Sequence, residues 1–120
     1  MIRRSLVKDD KPCIIITTNN NITNGYVYIN DKQWKANYSA NTPTKTYITE
    51  PITSCSGLLG NTNSSIISLD ISKLDLSNCT DMRTMFYRNS TLTNIELGKF
   101  DTSKVTSIWS MFELANFSGV

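Results

Sequence analysis

Residues 69–94 read LDISKLDLSNCTDMRTMFYRNSTLTN, and residues 95–120 read IELGKFDTSKVTSIWSMFELANFSGV. The second stretch repeats the first with a period of 26 residues, in identical residues and in the places of apolar side chains. The identical positions include Lys73/Lys99, Asp75/Asp101, Ser77/Ser103, Thr80/Thr106, Met85/Met111 and Phe86/Phe112. A fixed period between about 20 and 50 residues is typical of proteins built from stacked units. The repeat therefore decides the fold, and it favours display and binding over catalysis.

The spacing of apolar residues changes within each copy of the repeat. Ile95 and Leu97 alternate with polar residues, which predicts a short strand. Val105, Ile108 and Phe112 then recur three and four residues apart, as they would on one face of a helix. Each unit is thus predicted to be a strand followed by a short helix, and stacking of the units is expected to bury both apolar faces.

Asp75 and Asp101 occupy equivalent places just before the two predicted helices. We expect each to be a structural helix cap, because an aspartate there can accept a hydrogen bond from a backbone N–H of the first turn. The alternative is a cation that bridges the two carboxylates, which would lie about 5 Å apart if the strands of neighbouring units pair in register. No metal ion and no other cofactor is predicted.

The first half of the chain has a different pattern. The stretches 13–18, 26–29, 33–38 and 45–49 predict four strands, with turns at Asn24-Gly25 and Asn30-Asp31. Residues 52–68 resemble a degenerate first repeat at the same period. The predicted fold class is α+β: an extended arm at 1–12, a small antiparallel β meander at 13–50, and a strand/helix solenoid at 51–120 with units 52–68, 69–94 and 95–120.

The string KFDTSKVTSIWSMF, from Lys99 to Phe112, closely resembles the BspA-like leucine-rich repeat, a 26-residue repeat of bacterial surface proteins. The resemblance covers about residues 66–120, and the upstream copy departs from the pattern at Leu74, Leu76, Asn78 and Cys79. It implies a fold similar to the leucine-rich-repeat horseshoe and a role in adhesion and surface binding. The family has no catalytic motif that could be transferred to this chain.

Composition excludes several classes of function. The chain has no histidine, so catalytic sites that depend on one are ruled out, and the three cysteines show no CxxC spacing for zinc. Its net charge of +2 is too small for a nucleic-acid-binding surface, and no stretch approaches the roughly 20 apolar residues of a membrane span. Asn, Ser and Thr make up 42 of 120 residues, which suits a turn-rich β protein. We therefore predict a protein that is not an enzyme.

The cellular setting is open between two alternatives. The start of the sequence, MIRRSLVKDDKPCIII, lacks the apolar core and cleavage site of a secretory signal. A display protein without an export signal is expected in a phage virion, as a fibre or decoration protein whose N-terminal region attaches to the particle. The alternative is a fragment of an adhesin on the bacterial cell surface. A homo-oligomer is expected in the virion setting.

Five residues are candidate contacts for a partner or receptor: Arg3, Arg4, Trp34, Tyr38 and Trp109. The two arginines form the only basic cluster, together with nearby lysines. Trp34 and Tyr38 lie on one face of a predicted strand, where packing in the core is the alternative interpretation. Trp109 replaces Arg83 of the previous repeat, so the repeat pattern does not require it. The expected partners are virion proteins, sister chains, or a protein or glycan of a host surface.

Overall fold

The computed structural model describes residues 11–116, and this part of the chain is nearly all β, with two sheets and no α-helix. The predicted α+β class and the predicted strand/helix solenoid are therefore wrong. The predicted arm at 1–12 lies almost wholly outside the described residues. The six strands are β1 Cys13–Thr18, β2 Ile22–Ile29, β3 Lys32–Tyr38, β4 Thr44–Tyr47, β5 Ile66–Asp70 and β6 Asn94–Glu96.

The larger sheet has the strand order β4-β1-β5-β6. Its central strand β1 is a run of β-branched residues with Ile14 and Ile16 fully buried, as expected for a strand that is paired on both sides. β1 is antiparallel to both neighbours, whereas β5 and β6 are parallel, with Leu69 beside Ile95. The last pairing joins residues that are 26 positions apart, so the period of the sequence is also a period of the structure.

The smaller sheet is the hairpin of β2 and β3. Asn30 and Asp31 connect the strands with φ values of 57° and 58°, which fits the predicted two-residue turn. The predicted turn at Asn24-Gly25 is wrong, because both residues lie within β2 at a shift of the pairing register. A side chain at Gly25 would overlap the ring of Tyr38, which explains the glycine. The predicted meander is also wrong, since β1 pairs with β4 and β5 and not with β2.

Three turn-rich stretches lie side by side and replace the predicted helices. We name them the first (53–63), second (80–89) and third (106–115) turn segments, and together the turn ladder. Isolated parallel bridges join Ser54 to Asp81 and Asp81 to Ser107. Backbone hydrogen bonds connect successive segments, including Cys55 N–H to Asp81 O, Gly57 N–H to Arg83 O, Met82 N–H to Ser107 O and Thr84 N–H to Trp109 O, at 2.8–2.9 Å.

Backbone geometry explains why these segments are not helices. Thr84 and Arg88 have φ values of 54° and 59°, and the equivalent Ser110 and Leu114 have 53° and 59°. A left-handed residue every four positions interrupts a right-handed helix. The backbone N–H groups that an α-helix would use internally instead reach the neighbouring segment. Successive tight turns place apolar residues three and four positions apart, so the sequence imitates a helix face.

The hairpin lies beside the first segment of the turn ladder, and both sheets pack around one core. The N–H of Tyr28 in β2 and that of Asn30, in the turn after β2, donate to Leu58 O and Ser54 O of the first turn segment, at 3.0 and 2.9 Å. Buried residues of β1, β2, β5 and the turn ladder belong to a single hydrophobic cluster. Each large apolar side chain buried in this way stabilises the fold by about 1.5–3 kcal/mol. Residues 13–50 and 51–116 thus share their core.

Candidate interaction surface

The third turn segment exposes a group of large apolar side chains, which we call the open face. It consists of Ile108, Trp109, Phe112 and Leu114, whose exposed fractions are 64%, 69%, 56% and 64%. Among the described residues, Tyr47 is the only other large hydrophobic residue that is exposed. Single exposed apolar residues are common on soluble proteins, but a group of four within seven positions indicates a contact surface.

The equivalent positions of the second turn segment show what such residues do when a neighbour covers them. Met82 and Phe86 are 0% and 3% exposed, and they correspond to Ile108 and Phe112 in the next repeat. The rings of Phe86 and Phe112 stack with 5.5 Å between their centroids and 3° between their planes. The third segment therefore covers the second, and its own outer side has no such cover within the described residues.

The same asymmetry is present in the backbone. The N–H groups of Met82 and Arg88 donate to Ser107 O and Glu113 O. The corresponding N–H groups of Ile108 and Leu114, and that of Ser110 between them, form no hydrogen bond with any part of the chain that the structure describes. We call these three N–H groups the open edge. Backbone donors are normally satisfied, so the open edge is a place where a further backbone segment can add hydrogen bonds.

The predicted contact residues of the first half lie elsewhere. Trp34 is half-buried against the core, and its indole N–H donates to Ile29 O at 2.9 Å. Tyr38 is buried, and desolvation raises the pKa of its hydroxyl. Neither lies near the open face in the strand order, since β3 is at the far side of β2 from the turn ladder. Arg3 and Arg4 lie outside the described residues.

Asp75 and Asp101 cap turns, and the prediction of helix caps is wrong because no helix follows either residue. Asp101 accepts a hydrogen bond from the N–H of Ser103 at 2.9 Å, and Asp75 accepts from both the N–H and the hydroxyl of Ser77. Hydrogen bonds from these serines lower the pKa of both carboxyl groups. Lys104 donates to Asn78 Oδ1 at 2.7 Å, a contact between neighbouring repeats beside the two carboxylates.

The sequence predicts Trp109 as a contact residue but does not indicate Ile108, Phe112 or Leu114. The spacing of Ile108 and Phe112 instead predicts the buried face of a helix, and this prediction is wrong. A signal for the surface was nevertheless present: Arg83 and Arg88 of one copy are Trp109 and Leu114 in the next. A change from charged to apolar residues at two positions of a repeat indicates that the copy at 95–120 meets a different environment from the copy before it.

Other chemistry is scarce in the described residues. They contain no group of three or more His, Cys, Asp or Glu side chains that could hold a metal ion, and no helix that could cross a bilayer. Asp81 forms a fork with Arg83, whose guanidinium Nη2 lies 2.8 Å from Asp81 Oδ2, and this lowers the pKa of the carboxyl group. A hydrogen bond to the Cys79 sulfur, together with burial, raises the pKa of the Cys55 thiol.

One family matches the chain, and the match spans residues 30–118. This range includes the hairpin from its turn onward, all three turn segments and strands β4 to β6. No curated protein and no solved structure matches the chain. Because the match covers well over half of the sequence, the chain belongs to the family described as Mycoplasma protein of unknown function, DUF285.

Proposed function

We propose that the chain is a non-enzymatic adhesion and structural module that binds another protein through the open face. The observation that carries this proposal is the exposure of Ile108, Trp109, Phe112 and Leu114. The preceding repeat buries Met82 and Phe86, which are the equivalents of Ile108 and Phe112. Tryptophan and phenylalanine are enriched at the centres of protein interfaces, where they bury a large area with little loss of side-chain freedom. The face presents no carboxylate pair or nucleophile that would support a catalytic role instead.

We propose further that the repeats are of the BspA-like kind and share its role in surface binding. The family match includes the first full copy of the 26-residue unit and the second copy as far as residue 118. The parallel pairing of Leu69 with Ile95 and the stacking of Phe86 on Phe112 support equivalence of the two copies. The resemblance therefore supports an adhesive function. The fold that would carry this function is the β structure described above.

The bacterial cell surface is the setting that we favour. The family description names a bacterium, and the resemblance is to bacterial surface proteins. The phage virion is the alternative, in which the chain would be a fibre or decoration protein that forms a homo-oligomer through an N-terminal attachment region. That alternative rests on Arg3, Arg4 and their surroundings, which the structure does not describe. Antibody labelling of intact cells and of purified phage particles distinguishes the two settings.

A retention experiment tests binding through the open face. Beads that carry the full chain are washed over cultured epithelial cells and over surfaces coated with extracellular-matrix proteins. We expect the double substitution Ile108→Ser/Trp109→Ser to reduce retention about tenfold or more, because each lost anchor costs on the order of 1–2 kcal/mol. Lys35→Ser is the matched control, since Lys35 is exposed on β3 and away from the turn ladder. Equal retention of the double variant and the control would refute the proposal.

A further inference from the structure

A small cavity lies between β2 and the first two turn segments, and we call it the tyrosine pocket. Its volume is about 190 Å³, and its lining includes Tyr26 and Tyr28 of β2 and Tyr87 of the second segment. Alternation along β2 turns Val27 and Ile29 into the core and leaves both of its tyrosines half-buried on the opposite face. The pocket is therefore built from aromatic side chains that the core does not use.

Two glycines of the first turn segment leave room for the pocket. Gly57 and Gly60 belong to its lining, with φ values of 65° and 53°. The second and third segments carry Thr84 and Ser110 at the left-handed position that Gly57 occupies in the first. A Cβ atom at Gly57 would lie 3.7 Å from Thr84 Oγ1 and 3.9 Å from Tyr28 Cδ2, so a side chain there would extend into the space beside them.

Contacts within the chain hold the walls of the pocket in place. The rings of Tyr26 and Tyr28 meet edge to face, with 5.3 Å between their centroids and 77° between their planes. Gln33 Nε2 donates to the Tyr28 hydroxyl at 3.3 Å, and Asn61 Oδ1 accepts the N–H of Tyr26 at 2.8 Å. A site whose side chains are already ordered loses less entropy when it binds a ligand.

Three lining residues offer polar groups that have no partner. The side-chain amide of Asn63 and the hydroxyl groups of Tyr26 and Tyr87 form no hydrogen bond with any residue that the structure describes. The Thr84 hydroxyl donates to Arg83 O at 2.7 Å and can still accept a hydrogen bond. A purely apolar ligand would bury these groups without a partner, so the ligand must itself donate and accept hydrogen bonds.

Charge and size narrow the ligand further. None of the described residues that line the pocket is charged, so the lining offers no ion pair to a ligand. The guanidinium carbon of Arg88 lies 5.3 Å from the centre of the Tyr87 ring, so this ring already attracts one cation and a quaternary ammonium ligand would be repelled. The volume is below the roughly 300–1,000 Å³ of pockets that enclose drug-sized ligands, so the tyrosine pocket takes a single ring.

We propose that the tyrosine pocket binds one neutral pyranose ring, as a monosaccharide or as the terminal residue of a glycan. The C–H groups on one face of a pyranose pack against a tyrosine ring, whose face carries negative charge density. Its hydroxyl groups both donate and accept, which matches the amide of Asn63 and the free phenols. A proline ring also packs on aromatic residues, but it has no donor for the Asn63 amide oxygen. The site goes beyond the proposed function, because the open face lies on the third segment and takes no part in it.

A titration followed by NMR tests the pocket, with methyl glycosides of glucose, galactose, mannose and N-acetylglucosamine as probes. The ¹⁵N-labelled full chain is observed in amide correlation spectra. We expect at least one glycoside to bind saturably, with a Kd on the order of 1 mM for a ligand of this size. The largest shift changes are expected at the amides of Gly57, Gly60, Thr84 and Tyr87. Tetrahydropyran, which has the same ring without hydroxyl groups, is expected to bind at least about tenfold more weakly.

Two substitutions, each with a matched control, assign the binding to this pocket. Asn63→Ala is expected to weaken binding about fivefold through the loss of one hydrogen bond, and Tyr87→Ser about tenfold or more through the loss of a ring contact. Asn94→Ala and Tyr47→Ser are the controls and are expected to bind like the original chain, because Asn94 and Tyr47 are exposed and lie outside the pocket. Since the Asn63 side chain has no partner in the described part of the chain, Asn63→Ala tests the pocket even if the loss of Tyr87 disturbs the fold.

Four results would overturn the inference. They are no saturable binding of any of the four glycosides, shift changes confined to other parts of the chain, equal binding by Asn63→Ala and Asn94→Ala, or tetrahydropyran or a polyproline peptide that binds the pocket as tightly as the best glycoside. The double substitution Ile108→Ser/Trp109→Ser is expected to leave glycoside binding unchanged, so the proposed function and this inference can fail separately.

Discussion

At the scale of single residues, the joint between the hairpin and the turn ladder depends on Gly60. This residue has a φ of 53°, and a Cβ atom there would overlap the carbonyl oxygen of Tyr26. Gly57 has a similar φ of 65°, but a Cβ atom there would meet only Thr84 Oγ1 at 3.7 Å and Tyr28 Cδ2 at 3.9 Å. The two glycines thus share a backbone conformation and differ in the space around them.

We predict that Gly60→Ala lowers the free energy of unfolding by roughly 2–4 kcal/mol, from left-handed strain together with the overlap against Tyr26. Gly57→Ala is the control and is expected to cost only about 1–2 kcal/mol, because left-handed backbone strain is the only penalty at that position. Urea unfolding followed by circular dichroism measures both values. Equal costs for the two variants would mean that β2 does not approach the first turn segment as closely as described.

The cysteines illustrate what a single position reveals before a structure is known. Cys79 corresponds to Val105 in the next repeat, which predicts a small buried apolar residue. The structure confirms this, since Cys79 is fully buried and its thiol donates a weak hydrogen bond to Asp81 O at 3.5 Å. Substitution patterns between repeats thus report burial at individual positions without fixing the type of secondary structure.

At the scale of elements, the turn segments are tied together by asparagine side chains. Asn89 is fully buried, and its Nδ2 donates to Asn63 O of the first repeat at 2.9 Å. Its Oδ1 accepts the N–H of Leu92 at 3.2 Å, and its carbonyl accepts the N–H of Asn116 at 2.7 Å. One residue therefore joins three successive repeats.

We predict that Asn89→Ala lowers the free energy of unfolding by about 2–4 kcal/mol, because it leaves Asn63 O and the N–H of Leu92 without their partner. Asn94→Ala is the control, because Asn94 is exposed on β6 and its side chain makes only a long contact of 3.4 Å with Ser68. We expect the control to change stability by less than about 0.5 kcal/mol. Thermal unfolding of both variants at one pH provides the comparison, and similar values would contradict the buried role of Asn89.

The sequence predicted the strands better than the segments between them. Strands β1, β3 and β4 lie close to their predicted places, because β-branched runs and alternation depend on local pattern alone. The helices could not be excluded locally, since three-and-four spacing arises equally from successive turns. A helix and successive turns differ in whether the N–H groups of Met82 and Phe86 bond within their own segment or to the next repeat. In this structure their acceptors are 25 residues further along the chain, so the local sequence cannot distinguish the two.

At the scale of the whole molecule, the N-terminal strands and the repeats form one structure. The hairpin covers one side of the turn ladder, and the open face lies on the other side. In the larger sheet, β4 is the edge strand at one end and β6 is the edge strand at the other. In the turn ladder, the hairpin lies beside the first segment, and the third segment lies at the opposite side. The candidate surface could be predicted only in part, because Trp109 differs visibly from Arg83 whereas Ile108 and Phe112 fit a core pattern. Their exposure results from their place in the last described repeat and not from their residue type.

The central claim is the ladder of parallel turn segments, and its most direct test is detection of the hydrogen bonds themselves. NMR couplings across hydrogen bonds, measured on the ¹³C,¹⁵N-labelled chain, connect each amide nitrogen to the carbonyl carbon of its acceptor. We predict couplings from Met82 N to Ser107 C′, from Thr84 N to Trp109 C′ and from Phe86 N to Met111 C′. Couplings from these nitrogens to carbonyls four residues earlier in the same segment, as in an α-helix, would contradict the account.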